Sequence, residues 1–321
     1  MTYTLKLENR SNPVSGPDAR TMAGPKYLLW LIFTVLILSG CAGTPTRALQ
    51  SVAAHNGLDE SIQHSQAFSH RLFRNDKPLQ DGALNIYLEG DGLPWVFRYF
   101  VVADPTPRWP MMLHLMAVDE SAAVYIGRPC YNGFAKARGC TPNLWTSARY
   151  SRTVVNSMVD IVRLEARRRG ATYINLFGHS GGGALALLMA ENLPSTKTVV
   201  TIAGNIDVEG WTQVHGYSPL LDSLNPATRP ALDESIVQVH LLGGEDDNIP
   251  PTLARKWIFE QPNSYGVEYQ GYTHGCCWKP EWRRLLKQIA RGDLPIQFSS
   301  KPFKLPDRRF LFAESEAAGS S

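Results

Sequence analysis

The stretch Gly178-His179-Ser180-Gly181-Gly182 carries the strongest chemical signal in the chain. A serine hydroxyl is a weak nucleophile unless the backbone lifts it clear of its surroundings and a base takes its proton. Gly178 and Gly182 flank the serine at two residues on each side, which permits a turn so tight that larger side chains would collide with neighbouring backbone. A short apolar run at 173–177 (YINLF) precedes the turn, and an alanine- and leucine-rich run at 181–193 follows it and stops at Pro194. Strand, tight turn, helix is the context this pattern requires. The helix then aims its N-terminus at the reacting oxygen, and the Gly181 N–H can donate to a developing oxyanion. His179 is adjacent to the serine in sequence, which points its ring elsewhere; it is read as a packing residue rather than as the base.

Such a turn needs a sheet to hold it. Strand-like runs occur at 83–89 (ALNIYLE), 122–127 (AAVYIG), 173–177, 198–203 (TVVTIA), 236–242 (IVQVHLL) and 266–270. Helical runs lie among them. Residues 151–169 carry Val154, Val155, Met158, Val159 and Val162 at helical spacing and close on Gly170. Further helices are expected at 181–193, from Pro251 onward and at 282–290. Alternating strands and helices imply an α/β architecture, a mostly parallel sheet covered on both faces. In such sheets the active residues sit on loops at the carboxyl ends of strands. Residues 42–65 are polar and aperiodic and read as a linker, the domain is expected over 66–300, and the tail at 301–321 is expected to fray after Arg309.

Three more loops occupy strand ends. Strand 83–89 runs into Gly90-Asp91-Gly92-Leu93-Pro94-Trp95, strand 236–242 into Gly243-Gly244-Glu245-Asp246-Asp247-Asn248-Ile249-Pro250, and strand 266–270 into Gly271-Tyr272-Thr273-His274-Gly275. With the serine turn, these loops resemble the α/β-hydrolase fold family. The resemblance implies that fold in a single domain, a mostly parallel sheet with helices on both faces, and a triad in the chain order serine, acid, histidine. Matching G-x-x-D-x-x-[VI]-P puts the acid at Asp246, with Asp247 the alternative one residue on; matching G-x-x-H puts the base at His274. Where many members have His-Gly-x-Gly, this chain has Glu-Gly-Asp-Gly, so the oxyanion donors would be the N–H groups of Asp91 and Gly181. A carboxylate in an oxyanion hole opposes the charge that develops there, so the Asp91 side chain is expected to turn away from Ser180. Glu89 ends a buried strand and needs a partner. Arg128, at the end of the neighbouring strand, is expected to provide it. His240 lies within a strand and is expected to pack.

The N-terminus resembles a second known pattern. Residues 27–38 (YLLWLIFTVLIL) follow Arg20 and Lys26, too short a run for a membrane span of about 20 residues but suited to a signal-peptide core. Leu38-Ser39-Gly40-Cys41 resembles the bacterial lipobox. That resemblance implies a lipoprotein signal peptide at 1–41, acyl chains such as palmitate on Cys41, and an exported domain anchored to the cell envelope. Ala42 stands where an aspartate would favour the inner membrane, so the periplasmic side of the outer membrane is implied. The 26 residues ahead of the apolar core are long for a signal peptide, and Met22 is the expected true start. Export permits disulfides. Cys130 and Cys140 bracket a short glycine-containing loop and are the expected pair. Cys276 and Cys277 are adjacent, and are left open between pairing elsewhere and packing as thiols.

A net charge of +3 on 321 residues is too small to suggest nucleic acid, and no Cys/His spacing suggests a metal. The basic group Arg163, Arg167, Arg168 and Arg169 falls at a helix end, where it complements the dipole. No cofactor is expected. The chain looks most like uncharacterised bacterial lipoproteins with an α/β-hydrolase domain, which share YLEGDGLPW, IGRPC and GHSGGG; that likeness names no substrate and no protein partner. Residues 205–233 are long enough for a small cap, and Trp95, Trp109, Trp145 and Trp211 can either line an apolar pocket or pack in the core. The expected activity is serine hydrolysis of a small ester or related acyl substrate through an acyl-enzyme. The alternatives are an acyltransferase with the same triad and a non-catalytic envelope binding or scaffold protein.

Overall fold

Successive side chains along a strand point to opposite faces, and this alternation sets the layering. In β3 (Ala83–Leu88), Leu84, Ile86 and Leu88 enter one apolar layer while Tyr87 enters the other. Both faces of the strand are therefore buried, as a parallel sheet between helices requires. The structure, a computed structural model, describes residues 44–291, 293 and 310–313. Residues 1–41, with Cys41 and the expected start at Met22, lie outside the described residues. Among those described, no helix is long and apolar enough to cross a membrane.

Among the described residues one sheet has nine strands, in chain order β1 (Asp59–His64), β2 (Ser69–Arg74), β3, β6 (Ala123–Ile126), β7 (Tyr173–His179), β8 (Thr196–Ile202), β9 (Val237–Gly243), β10 (Ser264–Tyr269) and β11 (Phe310–Ala313). Their spatial order is β1-β2-β6-β3-β7-β8-β9-β10-β11. All neighbours from β6 to β11 pair parallel, and β2 pairs antiparallel with both β1 and β6. A separate two-stranded hairpin joins β4 (Trp95–Val96) to β5 (Phe100–Val101).

The helices are α1 (Pro45–His55), α2 (Met111–Met116), α3 (Arg152–Arg169), α4 (Gly181–Ala190), α5 (Val208–His215), α6 (Thr252–Glu260) and α7 (Trp278–Arg291). Ser151 caps α3 by accepting from the Val154 N–H, and Gly170 ends it in the left-handed conformation at φ 67°. Every residue of α4 is buried, which suits a helix that is apolar all round. On the opposite face Trp282 of α7 packs edge-on against Tyr87 and Phe177.

Two boundaries differ from the sequence reading. The stretch read as a linker is folded: Thr44 caps α1, Pro45 occupies its first turn, Leu49 and Ala53 are buried one turn apart, and β1 pairs with β2 from Asp59↔Arg74 to His64↔Ser69. The apolar signal was thin because β1 is an edge strand with polar side chains. At the other end, Phe310–Ala313 extends the sheet as β11, parallel to β10 from Gly266↔Phe310, where fraying was expected. An apolar run there finds the unpaired edge of β10. Cys130 and Cys140 form a disulfide with Cα atoms 5.4 Å apart, and Cys276 is bonded to Cys277.

Candidate active site

Ser180 sits between β7 and α4 at φ 52° and ψ −122°. A non-glycine residue in that region costs on the order of 1–3 kcal/mol and persists only when its surroundings hold it. Here the Ser180 N–H donates to the Ile202 carbonyl at 3.0 Å, and its own carbonyl accepts from Gly183 N–H at 2.9 Å and Asn205 N–H at 3.0 Å. Both flanking glycines are needed by close approach. A β-carbon at Gly178 would overlap the Gly182 backbone, and one at Gly182 would overlap the Leu88 carbonyl. The serine turn is thus pressed directly onto the end of β3, from which the loop carrying Asp91 departs.

The turn after β9 holds Asp246, which is buried. Its Oδ1 accepts from the N–H groups of Asn248 at 3.0 Å and Ile249 at 2.8 Å, and its Oδ2 lies 2.8 Å from His274 Nδ1. Asp247 is exposed, and of the two carboxylates it is Asp246 that meets His274. A carboxylate can only accept, so Nδ1 carries a hydrogen, and in the neutral ring the lone pair falls on His274 Nε2. The rings of His274 and His179 are 4.7 Å apart, and His179 Nε2 donates to the His274 carbonyl at 2.9 Å. Burial, aided by His274, pulls the His179 pKa down to about 3, so this ring is neutral. His179 therefore ties the backbone of His274 to the serine turn, a role beyond the packing read from sequence. Ser180 and His274 line one cleft; among the described residues no hydrogen bond joins them. Such contacts often tighten only when substrate is bound.

The loop after β3 corrects two expectations. Arg128 pairs with Asp91, not with Glu89. Glu89 instead accepts from Gly90 N–H at 3.3 Å and from Met112 N–H at 3.0 Å, the latter one of the unpaired donors at the start of α2. Burial outweighs these bonds and pushes the Glu89 carboxyl up to about 8. The Asp91 side chain stays beside the serine turn, so close to Gly181 that a β-carbon there would overlap its Oδ1. It is neutralised rather than turned out: Arg128, Arg149 (3.0 Å) and Tyr150 all donate to it. Burial raises its pKa, and Arg149 and Arg128 with Tyr150 reverse that and hold it at about 2. Arg128 also donates to the Arg149 carbonyl at 2.7 Å, and Tyr131 to the Asp91 carbonyl at 3.1 Å. The loop is pinned on all sides. Among the described residues, the N–H groups of Asp91 and Gly181 have no intramolecular acceptor, which leaves both available to an oxyanion.

A cleft of about 1070 Å³ opens over Ser180. Trp95, Trp109 and Trp211 line it. Trp145 does not; it is buried beside Cys130 and Tyr131 and donates to the Val102 carbonyl. The segment expected to form a cap contains α5 and supplies one wall through Trp211, Tyr217 and Leu220. Sequence reasoning missed three contributors: His179 as a tie, the Arg128–Arg149–Tyr150 clamp, and the arginines 98 and 108 on the cleft. The IGRPC stretch held a signal for the clamp, since an arginine at a strand end demands an anion. Among the described residues no group of His, Cys, Asp and Glu could hold a metal ion.

No family profile matches the sequence, and no curated protein matches it. Similar solved structures include puromycin hydrolase, at 13% identity and TM-score 0.51 over 77% of this chain; the chain spans 41% of that protein's length. A membrane phospholipase A, described as a novel bacterial virulence factor, matches at 13% identity and TM-score 0.50, covering 85% of this chain and 100% of its own. An α/β serine hydrolase homologue from Coxiella burnetii matches at 12% identity and TM-score 0.47, covering 73% and 96%. Strand order, parallel pairing and the likenesses to puromycin hydrolase and the phospholipase A identify the α/β-hydrolase fold.

Proposed function

We propose that the chain is a serine hydrolase that cleaves an ester or related acyl bond through Ser180, His274 and Asp246. The observation that carries this reading is the His274–Asp246 bond at 2.8 Å, on a cleft whose floor holds a serine in strained backbone. In the proposed cycle Ser180 Oγ attacks the acyl carbon and its proton passes to His274 Nε2. The N–H groups of Asp91 and Gly181 stabilise the oxyanion. His274 then protonates the leaving alcohol, thiol or amine, and water, deprotonated by the same imidazole, releases the acid. Asp246 keeps the tautomer and stabilises the imidazolium. Puromycin hydrolase and phospholipase A bear names that point to different substrates, so the shared fold does not choose the acyl group.

A fluorophosphonate probe tests the reading. Wild-type protein becomes labelled and Ser180→Ala does not. A folded wild type that stays unlabelled rejects an activated serine and favours the binding or scaffold alternative.

Anchoring by acylated Cys41 at the periplasmic face of the outer membrane is proposed on the lipobox resemblance alone. Cells fed labelled palmitate are expected to mark the wild type and not Cys41→Ser. Equal labelling of both rejects it.

A further inference from the structure

The charge of the cleft is one-sided. Arg98, Arg108 and Arg149 line it, with Asp91 and Glu89 as the lining carboxylates. Asp91 is held between Arg149 and Arg128, so two buried guanidiniums face one carboxylate and leave a net positive charge behind the loop. Glu89 is enclosed by backbone N–H groups and does not reach the arginines. Nearer the mouth, Arg98 and Arg108 are exposed, and among the described residues neither has a carboxylate partner.

Arg98 is placed by the fold. It lies in the tight turn of the β4–β5 hairpin, where Phe97 and Arg98 have φ of 51° and 64°. Its guanidinium is 5.5 Å from the centre of the Tyr217 ring on the facing wall. Arg108 precedes Trp109 in the segment leading to α2. The same cleft is walled by Trp95, Trp109, Trp211 and Leu93. Cations at the rim of a cleft with apolar walls focus potential into it, and guanidinium forks match carboxylate and phosphate oxygens.

We propose that the substrate of this site is an acyl compound that also carries an anionic oxygen group, a phosphate or carboxylate. Arg98 and Arg108 hold the anion while the apolar part lies along Trp95, Trp109 and Trp211. The proposal rests on the hydrolase reading of Ser180 and names the substrate class for it.

Mono-para-nitrophenyl suberate and para-nitrophenyl octanoate share a leaving group and a chain length and differ in a terminal carboxylate. Wild type is expected to favour the suberate ester by ~10-fold in kcat/KM, mostly through KM. Raising the ionic strength erodes the preference. The Arg98→Met/Arg108→Met protein loses it, and Arg98→Lys/Arg108→Lys, which keeps the charge, retains most of it. A wild type without the preference, or a methionine variant that keeps it, overturns the proposal.

Binding of octyl phosphate to Ser180→Ala protein, read by tryptophan fluorescence, separates this proposal from the reading beneath it. Affinity is expected to fall ~10-fold when both arginines become methionine, and unchanged affinity overturns the anion site. Arginine-dependent binding of octyl phosphate with no turnover of either ester leaves the anion site standing and removes the hydrolase. Phosphatidylglycerol vesicles distinguish the source. Arginine-dependent binding to vesicles assigns the anion to a lipid headgroup, and binding to octyl phosphate alone assigns it to a free solute.

Discussion

Replacing Asp246 by asparagine is expected to lower kcat by ~10,000-fold while KM and the melting temperature change little. The reason lies in which oxygen does what. Oδ1 accepts two backbone N–H groups, from Asn248 and Ile249, so an amide at 246 must keep its carbonyl there. Its NH₂ then faces His274 Nδ1, where the carboxylate oxygen was at 2.8 Å. A donor in that place turns Nδ1 into an acceptor and moves the ring hydrogen to Nε2. The nitrogen that takes the serine proton in the proposed cycle is then already protonated. Asp247→Asn, one residue away on the exposed side of the same turn, leaves kcat within about twofold. Steady-state hydrolysis of a para-nitrophenyl ester measures both. Equal losses at 246 and 247 would mean that the turn, not the carboxylate, matters.

The second large effect falls on stability. Asp91→Asn is expected to destabilise the fold by about 3–5 kcal/mol, because it strands two buried guanidiniums without a counter-charge. Arg128 and Arg149 have side chains only 2% and 5% exposed, so water does not reach them to compensate. Activity is expected to fall as well, since the Asp91 N–H belongs to the loop those bonds hold. A carboxylate that merely opposed the oxyanion would give the opposite result, a faster enzyme. Adding Arg128→Met to Asp91→Asn restores part of the lost stability, because one uncompensated charge leaves with it. Urea unfolding of the two single variants and the double one checks this. A wild-type midpoint for Asp91→Asn would show that the clamp contributes nothing.

The strand ends were legible in the sequence because they combine apolar runs with glycine. Gly178 and Gly182 announce close backbone approach, and the structure finds it at Gly182 and at Leu88. The motif match favours Asp246 over Asp247, but which of the two meets His274 depends on how the turn closes. The partner of Arg128 was misassigned because strand adjacency gives neighbours in the sheet and not the path of the loop beyond it. Glu89 and Asp91 are two residues apart, and which carboxylate meets the arginine depends on where the chain bends at Gly90. The arginines at 98 and 108 carry no pattern at all; only the fold brings them to one cleft. Likewise α1 and β1 are held by two buried side chains, Leu49 and Ala53, and by backbone pairing, neither of which gives a strong period.

That N-terminal unit also bears on solubility. β2 is an inner strand only because β1 covers it, and its Leu72 and Phe73 are fully buried on opposite faces. β1 meets solvent with Asp59, Glu60, Ile62 and His64, and its two carboxylates discourage a second sheet from pairing there. A protein begun at residue 66, where the sequence suggested the domain starts, would present β2 as a bare edge, apolar on both sides. Its expected fate is strand-to-strand self-association rather than a smaller soluble enzyme, so the apparent spacer acts as a guard against aggregation.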